Sequence, residues 1–170
     1  RHLYKLLFME IKMEQKSLKE IKENYNKLKD KHSLPDFSEL NKFFDIEDIE
    51  IETEFLLKKI RRKISEKITD YLRFLDLILN PSNAPIFFFR LVKNLDRDDT
   101  IKITNIYEKL ASFEISVISL DLEYSEQKEV EFIKSSYDIF KKIKKDFLKI
   151  IEKLKFTEEN YKKTNGSYFG

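Results

Sequence analysis

Apolar residues recur at alternating gaps of three and four along most of the chain, the spacing that lines one face of an α-helix. Tyr4, Leu7, Ile11, Leu18, Ile21, Tyr25 and Leu28 form the first series, with Glu14 occupying one place in it. It predicts a long amphipathic helix ending near Lys31, because Ser33-Leu34-Pro35 disfavours helical geometry and Lys27, Lys29 and Lys31 suit the negative end of the dipole. Asp36 then opens a short helical connector, with Glu39 as its capping-box partner and Phe37, Leu40, Phe43 and Phe44 following.

From Asp45 to Glu54 six of ten residues are acidic, and Ile49, Ile51, Thr53 and Phe55 alternate as a strand would. The spacing turns helical at Leu57, Ile60, Ile64, Ile68, Tyr71, Leu75 and Ile78, and acids at the positive end of such a helix are favoured. One helix from about Ile46 to Leu79 is therefore predicted, about 50 Å long at 1.5 Å per residue. Asn80-Pro81 ends it, and Pro85 fits the first turn of a short, very apolar helix through Phe87, Phe88, Phe89, Leu91 and Val92.

Asp98 or Asp99 is expected to cap the next helix, which carries Ile103, Ile106, Leu110, Phe113, Val117, Leu120 and Tyr124. Periodicity there outweighs the local β-propensity of Ile115 to Leu122, since no turn residue is present to build a hairpin. A last series, Val130, Ile133, Tyr137, Phe140, Phe147, Ile151 and Leu154, is out of phase with its predecessor and places a break near Ser125, a bent continuous helix being the alternative. Thr157 is read as the cap of a short terminal turn before a loose tail. The expected fold class is all-α: an antiparallel four-helix bundle of long amphipathic helices with two short helical connectors. Residues 1–156 would form one helical-bundle domain and 157–170 the turn and tail.

Composition narrows the chemistry. Both glycines of the 170 residues, Gly166 and Gly170, lie in the tail, which excludes a Walker phosphate loop and a dinucleotide G-x-G-x-x-G turn. The absence of cysteine excludes disulfides, thiolate metal sites and a cysteine nucleophile. A di-iron site of the ferritin-like kind needs an acid three residues before a histidine, and Lys29 stands there before His32. His32 is instead read as a helix-end cation complementing the dipole. Asp96-Arg97-Asp98-Asp99 has the look of a calcium loop, but Ile101 occupies the position that needs glycine. Seven acidic i, i+3 pairs occur, Glu20 with Glu23 and Glu126 with Glu129 among them, close to the roughly five or six that chance placement gives.

The longest stretch without a charge, Leu77 to Phe89, contains Pro81 and Pro85 and is shorter than the ~20 residues of a membrane span. Leu6 to Met9 is too short for a signal-peptide core, so a cytoplasmic protein with no membrane partner is expected. The 38% charged content, with lysine far above arginine, is similar to that of heat-adapted proteins, while several asparagines argue against it.

Thirty-three basic against thirty-one acidic residues leave a net charge of only +2, so any nucleic-acid surface must come from local clustering. Lys58, Lys59, Arg61, Arg62, Lys63 and Lys67 form one cluster, and Lys134, Lys141, Lys145 and Lys149, widened by Lys142 and Lys153, form another. The simple reading is a solvated face; the functional one is contact with phosphate backbones. Glu14 and Lys144 are the two charges noted on apolar tracks, each snorkelling to solvent or else forming a polar contact in the core. The run Ile86-Phe87-Phe88-Phe89 must be buried all round or meet a partner.

Three functions follow, in order. The first is a non-enzymatic interaction or scaffold module that binds an unidentified protein through a groove at Ile86 to Phe89 and takes no cofactor. The second is nucleic-acid backbone binding through the basic strips, with Lys58, Lys59, Arg61, Arg62, Lys63, Lys141, Lys145 and Lys149 as contacts. The third is a carboxylate-metal nucleotide pyrophosphohydrolase.

Overall fold

The computed structural model of the protein describes residues 2–49 and 55–166. Every regular element among them is helical: α1 (His2–His32), α2 (Phe37–Phe44), α3 (Leu56–Leu79), α4 (Ile86–Val92), α5 (Arg97–Leu122) and α6 (Glu126–Gly166), with 3₁₀ turns at Ile46–Asp48 and Pro81–Asn83. No helix among the described residues is long and apolar enough to cross a membrane.

The ends of these helices have local causes. α1 stops at His32 because Ser33 takes a left-handed conformation (φ 53°), and the amide of Leu34 donates to the Lys29 carbonyl five residues back. This is the Schellman closure, which buries the apolar residue just beyond the helix, here Leu34. The expected break near Ser125 is present: α5 ends at Leu122, and the Ser125 hydroxyl oxygen accepts from the Lys128 amide at 3.4 Å at the start of α6.

Four expectations are corrected. The helix foreseen over Ile46 to Leu79 is a 3₁₀ turn that buries Ile46 and Ile49, and α3 begins only at Leu56. Its first turn holds no acid, so the dipole argument does not apply there; Glu50, Glu52 and Glu54 lie outside the described residues. The cap of α5 is Asp96 and not Asp98 or Asp99. The Asp99 amide donates to Asp96 Oδ1 at 2.8 Å and the Asp96 amide to Asp99 Oδ2 at 3.1 Å, a reciprocal capping box with aspartate in both places. Asp36 precedes α2 without a side-chain cap, because its carboxylate is paired with Lys29. Finally, α6 runs past Thr157, whose hydroxyl donates to the Lys153 carbonyl at 3.0 Å within one unbroken helix.

The chain gathers into two compact units, Arg1–Glu66 with Ile118–Tyr137 and Lys67–Val117 with Asp138–Gly170. In the first, Tyr25 is fully buried, its hydroxyl donates to the Pro35 carbonyl at 2.6 Å, and its ring meets Phe37 edge-on at 5.5 Å. Burial, with the Asp36 charge second, pushes its phenol well above the ordinary tyrosine range. In the second, aromatic rings form a chain between helices. Phe140 and Phe147 of α6 lie 5.6 and 5.1 Å from Tyr71 of α3, Phe147 reaches Phe74 at 6.3 Å, and Phe74 meets Phe88 of α4 at 6.3 Å. These tilted and edge-on contacts hold the short helix α4, which is too brief to be stable by itself.

Candidate functional site

A seven-residue helix on a surface can turn only one stripe inward. In α4 that stripe is Phe88, seated on Phe74, and the buried Leu91 three residues on. At 100° per residue the neighbours must point elsewhere: Ile86, Phe87 and Phe89 are 69%, 42% and 46% exposed. Burial all round, the simpler of the two sequence readings, is therefore not what this helix achieves.

Beside the exposed side chains lies a groove of about 430 Å³ between α4 and the end of α6, lined by Phe87, Arg90, Leu91, Lys93 and Asn94 on one side and Thr157, Glu158, Asn160 and Tyr161 on the other. Arg90 stacks over the Tyr161 ring at 4.8 Å and donates to its hydroxyl. Lys93 sits 5.3 Å above the Phe89 ring, and Asn94 Nδ2 donates to Thr157 Oγ1 at 3.3 Å. The wall carboxylate, Glu158, is already paired with Lys162 at 2.5 Å. Chemically this is an apolar trough with two cations at its rim.

The residues of the basic strips differ in exposure. Arg62 is exposed, Lys58, Lys59 and Lys63 are half-buried, and Lys141, Lys145 and Lys149 are exposed along α6, Lys141 pairing with Asp138 at 3.3 Å. Arg61 is a correction: it is 1% exposed, its Nε donates to both oxygens of Glu129 at 2.8 and 3.0 Å, and its Nη2 donates to Asp121 at 2.9 Å. A guanidinium so committed offers nothing to a phosphate. Glu129 is itself 0% exposed, and desolvation holds its carboxyl above the ordinary range despite the opposing pull of Arg61.

Arg61 falls on the α3 track of Leu57, Ile64 and Ile68, a signal in the sequence that marks it as an inward charge. Lys144, singled out for that role, is exposed because Ile143 and Ile150 take the buried positions of α6. The side chain of Glu14 lies outside the described residues. Arg90 and Lys93 lie in the Pro81 to Leu95 connector that the sequence puts at the groove but are not singled out by it, and Tyr161 belongs to the segment it reads as turn and tail.

His32, at the end of α1, also faces a carboxylate of α6. Its Nε2 lies 2.8 Å from Glu126 Oε1 without an aligned hydrogen bond, and Lys31 Nζ donates to the same oxygen at 2.6 Å. The Lys31 contact, with a smaller share from His32, holds Glu126 below the ordinary carboxylate range. Among the described residues no three histidine, aspartate or glutamate side chains gather as a metal site would need.

No protein-family model matches this chain, and comparison with curated proteins and with solved structures finds no similar protein.

Proposed function

We propose that the protein is a non-enzymatic interaction module whose α4–α6 groove receives a segment of a partner protein in the cytoplasm. One observation carries this reading: three large apolar side chains, Ile86, Phe87 and Phe89, stand exposed on a helix that the Phe88–Phe74 contact holds in place. Clustered exposed apolar surface beside a trough is the feature of soluble proteins that most often marks a binding face. The antiparallel bundle of α1, α3, α5 and α6 expected from the sequence belongs to the same proposal, as the rigid support such a face needs. Phosphate-backbone binding keeps its support in Lys141, Lys145 and Lys149 and loses that of Arg61.

The test places a photo-crosslinking phenylalanine at position 87, identifies what it captures in cells, and measures binding of that purified partner by fluorescence anisotropy. Phe87→Ser with Phe89→Ser is expected to weaken binding at least about tenfold, the effect of removing anchors worth roughly 1.4 kcal/mol or more. Unchanged affinity in that variant refutes the groove. Salt-sensitive binding of DNA or RNA, lost on reversing Lys145 and Lys149, would instead advance the phosphate reading.

A further inference from the structure

Resting on that reading, we propose that the segment received by the groove is acidic, with carboxylates flanking a large apolar anchor. Arg90 and Lys93 stand at the rim, each over an aromatic ring, and neither meets a carboxylate among the described residues. Glu158, the acid of the groove wall, is engaged by Lys162.

Arg90 and Lys93 are exposed, each with one face on an aromatic ring beside Ile86, Phe87 and Phe89, and an arriving segment that covers these side chains would desolvate its own contact with the two cations and strengthen it. Arg90 is also fixed in direction by its hydrogen bond to the Tyr161 hydroxyl, which holds the guanidinium plane in place over the ring. Leu91 is buried and Phe87 half-open at the trough, a place for one bulky apolar side chain between the two cations. A concave trough of this kind fits an inserted side chain better than the flat face of a bilayer.

The experiment uses the full chain and two short fluorescein-labelled peptides that share Leu and Phe at helical spacing. One carries glutamate and the other lysine at every remaining position. The acidic peptide is expected to bind about tenfold tighter, more weakly as salt rises, and to shift the amides of residues 86–94 and 157–161 in a nitrogen–proton spectrum. Arg90→Glu with Lys93→Glu should invert the preference.

Equal binding of both peptides, abolished by Phe87→Ser with Phe89→Ser, overturns the acidic partner and leaves the groove standing. Binding of neither peptide overturns the acidic segment together with the groove. Adsorption to phosphatidylserine vesicles without binding of either peptide assigns the patch to a lipid surface and overturns the proposal. Circular dichroism melts of every variant confirm that the fold is present, as expected for substitutions at exposed positions.

Discussion

Arg61 and Arg90 carry the same guanidinium in opposite circumstances. Arg61, in the first unit, is buried, with both oxygens of Glu129 against its Nε and Asp121 on Nη2. Arg90, in the second, lies exposed on the face of Tyr161 with no carboxylate beside it among the described residues. At Arg61 the electrostatic demand is closed internally, whereas at Arg90 two cations stand beside the exposed Ile86, Phe87 and Phe89 for something else to meet. A cation's place in a sequence cluster is therefore a poor guide to its use. Arg61 came from the densest basic run and is structural, while Arg90 stood alone among phenylalanines and is available.

That contrast breaks first at the buried pair. Arg61→Met leaves the Glu129 carboxyl without its partner in the interior, and a loss of about 3–5 kcal/mol in urea unfolding is expected. Arg61→Met with Glu129→Leu should recover most of it, since desolvation already outweighs the attraction of Arg61 in setting the Glu129 carboxyl. A double variant as unstable as the single one would make the pair a net stabiliser and weaken the contrast.

Phe55 gives a smaller and opposite effect. It caps α3 in the left-handed region at φ 63°, where a bulky side chain is strained, and its ring is exposed against Tyr124 at 6.0 Å. Phe55→Gly should gain about 1 kcal/mol on thermal unfolding, the strain relieved less the entropy added to the unfolded chain.

The rim of the second unit should move less still. Phe89→Ser and Lys93→Glu, both at exposed positions, are each expected within about 0.5 kcal/mol of the parent, with their effect appearing in binding alone. A large destabilisation would mean that α4 is held by its outer face as well.

The pH dependence of stability sharpens the comparison last. Burial raises Glu129 above its unfolded value, so its stabilising share is complete below that value and fades as pH rises through the folded one. Asp96 is lowered, first by the Asp99 amide and then by Lys153, so its share is present above the unfolded value and fades as pH falls through the folded one. Urea midpoints from pH 7 to pH 5 should therefore rise slightly in the parent and lose that rise in the Arg61→Met, Glu129→Leu double variant.

The helices were legible because burial of a stripe dictates a three-four spacing, and Ile60, Ile64, Ile68 and Leu75 are buried where that spacing put them. Helix starts were less legible. Aspartates at 96, 98 and 99 are equivalent in propensity, and only the reciprocal amide contacts select Asp96. The groove was half legible. Ile86 to Phe89 named one wall, but the other needs Tyr161, about seventy positions away, and such pairing leaves no local trace. Arg61 was misassigned because sequence neighbours suggested a surface strip, although its register with Leu57 and Ile64 pointed inward.

Ser33, Asp45 and Phe55 hold left-handed corners that glycine would hold without strain. Each of these residues restricts the backbone before folding as well as after it, so the denatured chain has fewer arrangements to abandon at the corners. Part of what the strained corners cost the ordered state is thereby offset in the disordered one, where the alternatives to them are scarce.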